Sequence, residues 1–157
     1  MFIAGGFCMP EKQTIKRAKR DKAQGKAAST QAGEFVREEM EHIRKGKHGA
    51  RSTKQAIAIG LSKARRAGVN LPAPEKGTTS ERTRRSAKST LRRSRSHQKP
   101  SAKRSTAVRK ALKREGRSAA SHRALSRQAH ASAARRGSSA RKASARKAAR
   151  TRARRSR

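Results

Sequence analysis

Apolar residues recur at helical spacing in residues 29–45, and this stretch carries signals for both helix ends. Its sequence is STQAGEFVREEMEHIRK, and Ser29 or Thr30 stands where an N-cap residue belongs. At about 100° per residue the apolar side chains fall on one broad face: Ala32, Phe35, Val36, Met40 and Ile43. Gly46 follows shortly after the last of them. The pattern predicts an amphipathic helix.

The charges along this predicted helix follow the order that the helix dipole favours. Acidic residues occupy its first turns and basic residues close it: Glu34, Glu38, Glu39 and Glu41, then Arg44 and Lys45. We interpret the glutamates as a solvated acidic face.

Residues 52–68, STKQAIAIGLSKARRAG, begin with a capping box and end with a glycine. In a capping box the Ser52 side chain accepts a hydrogen bond from the Gln55 N–H, while the Gln55 side chain reaches back. One face collects Ile57, Gly60, Leu61, Ala64 and Gly68, and the cations lie off that face: Lys63, Arg65 and Arg66. The AIAIG segment alone alternates like a strand, but the cap and Gly68 favour a helix.

Two amphipathic helices joined by a short glycine-containing loop predict an αα-hairpin over residues 29–71. Small residues on the second helix let large side chains on the first approach closely. Val69 and Leu71 are expected to fold back over the open end of the hairpin.

The segments around the hairpin differ from it in composition. Residues 1–28 are a basic N-terminal segment, in which a short frayed helix before Gly25 is not expected to pack. The opening MFIAGGFC, residues 1–8, is apolar. It is either a start-site error with Met9 as the initiator or a genuine short leader. Residues 72–77, PAPEKG, predict a linker.

Charge dominates the rest of the chain. The 157 residues carry a formal net charge of +36, and aromatic residues are only 2%. Residues 78–157 hold 28 Lys and Arg among Ala and Ser, against Glu81 and Glu115 alone. Such a segment buries too little apolar surface to offset its ordering entropy. The predicted fold class is therefore mostly α plus disorder: a small αα-hairpin followed by a long disordered polycationic tail.

A tail of this composition is suited to a polyanion. Duplex DNA carries one charge per about 1.7 Å of axis, and basic side chains that meet it release condensed counterions. No pattern for reading base edges is visible. We expect sequence-nonspecific, histone-like binding to duplex DNA through the basic residues of the tail: Arg84, Arg85, Arg92, Arg93, Arg95, Lys103, Arg104, Arg109, Lys110, Lys113, Arg114, Arg135, Arg136, Arg141, Lys142, Arg146, Lys147, Arg150, Arg152, Arg154 and Arg155.

The shortage of aromatic residues favours duplex DNA over single-stranded partners. RNA and single-strand modules usually stack bases on aromatic side chains, and Phe35 is the only aromatic residue after Phe7. Two alternatives stay open: an RNA-associated or ribosome-associated basic protein, and a protein-interaction hairpin with a localising cationic arm. Homodimerisation through the hairpin is a further expectation.

Catalytic signals are weak. Glu39 and His42 have the E-x-x-H spacing of di-iron bundles, but that site needs a second such pair and two more carboxylates. We interpret the pair as part of the solvated acidic face. The other histidines are scattered among cations without carboxylate neighbours in the sequence: His48, His97, His122 and His130. With no phosphate loop or nucleophile–base set, we expect no enzymatic activity, cofactor or metal.

Nothing in the sequence indicates a membrane or an oxidising compartment. No apolar run approaches the roughly 20 residues of a membrane span, and Cys8 is the only cysteine. We expect a cytoplasmic protein at the nucleoid, with no membrane partner.

The segment GKHGARSTKQAIAIGLSKARRAG, with EFVREEMEHIR before it, resembles a bacterial family of small basic proteins of uncharacterised function. The family motif is similar to K-Q-A-I-A-I-[AG]-L-S-x-A, which matches Lys54, Gln55, Ala56, Ile57, Ala58, Ile59, Gly60, Leu61, Ser62 and Ala64. The resemblance implies no activity. The tail is similar in composition to linker-histone tails and bacterial histone-like arms.

Overall fold

Helices form most of the chain that the structure describes. The structure is a computed structural model that gives residues 10–95 and 101–155, so the start-site hypothesis lies outside the described residues. Within them the chain forms seven α-helices and a short 3₁₀ turn: α1 (Lys12–Ala23), α2 (Ala28–Arg44), α3 (Thr53–Arg66), α4 (Glu81–Arg95), α5 (Ala102–Lys113), the turn Ser118–Ala120, α6 (His122–Arg135) and α7 (Gly137–Arg155). The chain divides after Ser121 into two compact units. The domain limits expected from the sequence stay a prediction.

The two helices predicted from apolar spacing, α2 and α3, pack against each other in the first unit. The predicted cap of α3 is present, because the Gln55 N–H donates to Ser52 Oγ at 3.2 Å. The Gln55 side chain accepts from the Arg51 N–H at 2.7 Å instead of reaching Ser52. The cap predicted at Ser29 or Thr30 is wrong, since α2 begins at Ala28 and its N-cap residue makes no side-chain hydrogen bond.

The core of the first unit lies between these helices. Phe35 and Ile43 of α2 are 1% and 0% exposed. A Cβ at Gly60 would lie 2.7 Å from Val36 Cα, so the absent side chain is what lets α3 approach α2. Val69 packs against the core, and its N–H donates to the Ala64 carbonyl at 3.1 Å. The fold-back predicted for the end of the hairpin is therefore present.

The first helix packs, although the sequence suggested that it would not. Thr14 and Ala18 of α1 are buried against the hairpin, and Ala18 belongs to the same apolar cluster as Phe35. Arg17 Nε donates to Glu34 Oε2 of α2 at 2.6 Å. The expectation was wrong because Ile15 packs together with the small residues Thr14 and Ala18, which leave no apolar stripe in the sequence.

The expectation of a long disordered polycationic tail is also wrong. α4 packs on α3 and buries Ala87, and Leu112 of α5 is 5% exposed. The Gly49 N–H donates to the Leu112 carbonyl at 2.9 Å. The turn Ser118–Ala120 docks on α2 and α3, where Thr53 Oγ1 donates to the Ala119 carbonyl at 2.7 Å. The alanines that stand among the cations bury well, because a helix whose side chain is only a methyl group can approach its neighbour closely.

The second unit consists of α6 and α7, which contact each other. Neither helix buries a large apolar side chain, and α6 has no buried residue. Both are rich in Ala and Arg, which have high intrinsic helix propensity. Our expectation of disorder gave too much weight to the lack of apolar burial and too little to this propensity.

Among the described residues, no helix is both long enough and apolar enough to cross a membrane.

Candidate functional site

The basic residues predicted to bind nucleic acid lie on four helices and the junctions that follow them. α4 carries Arg84, Arg85, Arg92, Arg93 and Arg95, and α5 carries Lys103, Arg104, Arg109, Lys110 and Lys113, followed by Arg114. In the second unit Arg135 ends α6, Arg136 follows it, and α7 carries Arg141, Lys142, Arg146, Lys147, Arg150, Arg152, Arg154 and Arg155.

Most of these cations face solvent. Among those whose side chains the structure describes, only Arg84 and Arg109 are half-buried. Arg84 donates to both oxygens of Glu81, from Nε at 2.9 Å and from Nη2 at 3.1 Å. These hydrogen bonds lower the pKa of the Glu81 carboxyl and raise that of Arg84. The exposed members of the set present their charge where an external anion can reach it.

α7 is the most strongly basic of these helices. It has eight Lys and Arg and no Asp or Glu, and every residue from 137 to 154 is exposed. At about 100° per residue, its cations occupy the whole circumference of the helix. A helix of this kind has no apolar face to pack on protein.

The described residues offer no Phe, Tyr or Trp to stack on a base. Phe35, their only such aromatic residue, is 1% exposed in the core. The exposed cations can therefore contact a nucleic acid through its phosphate charges, but no described Phe, Tyr or Trp can stack on its bases.

A second feature is a cluster of buried polar side chains, which we term the polar cluster: Glu38, Glu39 and His42 of α2, His48 of the following loop and Lys63 of α3. Glu38 and Glu39 are 2% and 0% exposed. Lys63 Nζ lies 2.7 Å from Glu39 Oε2 and 3.6 Å from Glu38 Oε1. His48 Nε2 lies 3.2 Å from Glu39 Oε1.

Hydrogen bonds to the edge of the polar cluster orient its histidines. His48 Nδ1 lies 3.0 Å from the Gly49 carbonyl, and His42 Nε2 lies 2.8 Å from Glu11 Oε1. Lys47 Nζ donates to the same Glu11 oxygen at 3.0 Å. The His42 and Lys47 hydrogen bonds lower the pKa of Glu11 to about 2, so Glu11 is ionised at neutral pH. Burial lowers the pKa of His48, which favours its neutral ring.

The sequence did not reveal the polar cluster. We expected Glu39 and His42 on a solvated face and His48 without a carboxylate neighbour, and the structure contradicts both expectations. Lys63 and Arg65, expected off the packed face of α3, are 3% and 6% exposed. Arg65 is held by the carbonyls of Leu71 and Pro72, both at 3.1 Å. The available signal was weak: Glu39 lies next to Met40 and four residues after Phe35, on the edge of the apolar face.

Comparison with known proteins gives one match. A family of unknown function (DUF6496) matches residues 11–76, which include α1, α2 and α3 and less than half of the chain. This is consistent with the expected likeness to an uncharacterised family. No curated protein and no solved structure matches the chain.

Proposed function

We propose that the protein binds duplex DNA without reading its sequence, through phosphate contacts from the exposed basic helices α4 to α7. The observation that carries the proposal is α7, which has eight cations, no acidic residue and only exposed residues from 137 to 154.

The physical reason is the charge of that helix. A helix that is polar all round gains nothing from apolar burial, and like charges one turn apart oppose it. Phosphates remove that opposition, and the released counterions supply a favourable entropy. Arginine, the commoner cation of α7, also donates two hydrogen bonds to one phosphate. α7 is thus better suited to a polyanion surface than to a protein core.

One observation favours duplex DNA over RNA as the polyanion. The described residues expose no Phe, Tyr or Trp for base stacking. On this proposal the protein acts at the nucleoid. We do not extend the proposal to a homodimer, since the large apolar residues of α2, Phe35, Met40 and Ile43, are buried within the chain.

The experiment compares two full-length variants that lose equal charge. In the first, the eight Lys and Arg of α7 become Gln, a residue of similar helix propensity: Arg141, Lys142, Arg146, Lys147, Arg150, Arg152, Arg154 and Arg155. In the control, eight exposed cations of residues 12–76 become Gln: Lys12, Lys16, Lys19, Arg20, Lys22, Lys45, Lys54 and Lys76. The readout is the slope of log K against log salt concentration for duplex DNA.

The magnitude of the slope falls by about 0.9 for each phosphate that the protein no longer neutralises. A helix lying on a duplex brings about half of its circumference to the phosphates. We therefore expect the α7 variant to lose about four units of slope and the control about one or less. Equal losses in both variants would assign binding to the net charge of the chain and refute the role of α7. Tighter binding of a structured RNA than of duplex DNA would select the RNA alternative.

A further inference from the structure

Three side chains with metal-ligand chemistry meet in the polar cluster. Glu39, His42 and His48 each offer one donor atom, and these atoms all lie within 4.8 Å of one another. Two belong to α2 and the third to the loop that follows it, so the return of this loop onto α2 brings them together. All three residues are at least nine-tenths buried.

The orientation of His48 leaves two acceptors facing each other. The Gly49 carbonyl can only accept, so His48 Nδ1 carries a proton and donates to it at 3.0 Å. In the neutral ring Nε2 then presents a lone pair to Glu39 Oε1, a carboxylate oxygen 3.2 Å away. Two acceptors at this distance attract each other only through a cation between them, either a proton or a metal ion.

The spacing of these two atoms suits a tetrahedral metal. Zn²⁺ bonds to imidazole nitrogen and carboxylate oxygen are about 2.0–2.2 Å long, which places neighbouring tetrahedral ligands about 3.3 Å apart. The distance between His48 Nε2 and Glu39 Oε1 is 3.2 Å.

His42 is oriented by a carboxylate. Glu11 Oε1 lies 2.8 Å from His42 Nε2. In the tautomer whose Nε2 donates to Glu11, Nδ1 is the ring nitrogen that remains to bind a metal ion. A carboxylate that holds the second nitrogen of a histidine is the usual support for a metal-ligating imidazole.

The buried carboxylates of the polar cluster outnumber its buried ammonium group, and the Glu39 oxygens lack an aligned donor, so a further cation would be stabilised there. Two buried carboxylates, Glu38 and Glu39, face one buried ammonium, Lys63. Lys63 is close to Glu39 Oε2 and leaves Oε1 to a different partner. Among the described residues, no donor is aligned for a hydrogen bond with either Glu39 oxygen, although Lys63 and His48 are near.

We propose that Glu39, His42 and His48 bind one divalent transition-metal ion, with Zn²⁺ the ion best suited to two imidazoles and a carboxylate. Glu39 binds through Oε1 while Lys63 holds Oε2, and Glu11 supports His42. An open pocket of about 500 Å³, lined in part by Lys47, His48 and Lys113, adjoins the loop that carries His48. The role of the ion is to fix the loop that carries His48 against α2, which is independent of the DNA-binding proposal.

The test uses full-length protein stripped of metal and nucleic acid. Zn²⁺ is titrated in competition with a chromophoric chelator, and Co²⁺ serves as the spectroscopic probe of geometry. We expect one ion per chain and the visible absorption of tetrahedral Co²⁺. His48→Ala and Glu39→Gln should remove both signals. His130→Ala, which changes an exposed histidine of α6, should leave both unchanged.

If His48→Ala and Glu39→Gln unfold the protein, Glu11→Gln still tests the proposal. The Glu11 side chain is 52% exposed, so this substitution should leave the fold intact. Loss of such a support typically weakens metal binding 10-fold to 100-fold, and we expect Zn²⁺ affinity to fall by at least about tenfold. A wild-type protein that binds no Zn²⁺ with this stoichiometry would overturn the proposal and assign a proton to the space between His48 and Glu39. Binding that Glu11→Gln and His130→Ala weaken equally would also overturn it.

Discussion

Lys63 is the only buried ammonium among the described residues, and it faces two buried carboxylates. Its side chain is 4% exposed, against 2% for Glu38 and 0% for Glu39. Removing one partner of a buried ion pair is costly, because the remaining charge has lost its hydration and gains no counter-charge. Lys63 therefore contributes more to the free energy of unfolding than the cation of a surface ion pair does.

The first prediction concerns this lysine. In metal-free buffer, Lys63→Met should lower the free energy of unfolding by about 3 kcal/mol or more, as expected for a broken buried pair. Lys54→Met, on the exposed side of the same helix, should change it by about 0.5 kcal/mol or less. Urea unfolding followed by circular dichroism measures both. Similar small losses for the two variants would show that the polar cluster is not held by Lys63.

For single residues, the sequence predicts contacts between near neighbours in the chain and misses contacts that depend on tertiary packing. The Ser52 cap of α3 was predictable because it depends on residues three apart in one chain segment. The burial of Glu39 and His48 was not, because it depends on which elements cover α2. From the sequence alone, a glutamate at the edge of an apolar face is interpreted as solvated, because the element that covers it is not known.

Among the elements, α2 and α3 are joined by a close contact between backbones. A Cβ at Gly60 would meet Val36 backbone atoms at 2.7 and 3.0 Å, so added volume there would have to move a helix. Gly33, in α2 itself, has nothing within 4 Å of the same added atom. Both glycines thus lie inside a helix, but only Gly60 is packed against the backbone of another helix.

The second prediction is that alanine at these two glycines changes the stability of the protein in opposite directions. Gly60→Ala should destabilise the protein by about 1–3 kcal/mol, because overpacking shifts the helices. Gly33→Ala should stabilise it by about 0.5–1 kcal/mol, since alanine loses less backbone entropy in a helix. Thermal and urea unfolding of both variants check the signs. Stabilisation by both substitutions would mean that α3 does not approach α2 at Gly60.

Element prediction from this sequence worked where large apolar residues set a period and failed where alanine did the packing. α2 and α3 carry Phe, Met, Ile and Leu, and they lie close to their predicted limits. The buried residues of α1 and α4 include Ala18 and Ala87, which stand among cations. Hydropathy patterns give alanine little weight, so the helices α4 and α5 left no clear signal in the sequence.

Across the whole molecule, net charge is the property most directly related to function. A formal charge of +36 on 157 residues is costly to hold in a compact state, because the charges repel one another. A polyanion partner relieves that repulsion. The sequence therefore predicts the class of partner that we propose, whereas the helical form in which the cations are presented came only from the structure.

The measurement that tests the DNA-binding proposal most directly is the salt dependence of the affinity of the full-length protein for duplex DNA. The comparison ligands are a second duplex of unrelated sequence and a structured RNA with the same number of phosphates. We predict that affinity for both duplexes falls about 10³-fold or more between about 50 and 200 mM salt, as counterion release requires. The two duplexes should bind alike, and both more tightly than the RNA. A shallow salt dependence, a strong preference for one duplex, or tighter binding of the RNA throughout would contradict the account.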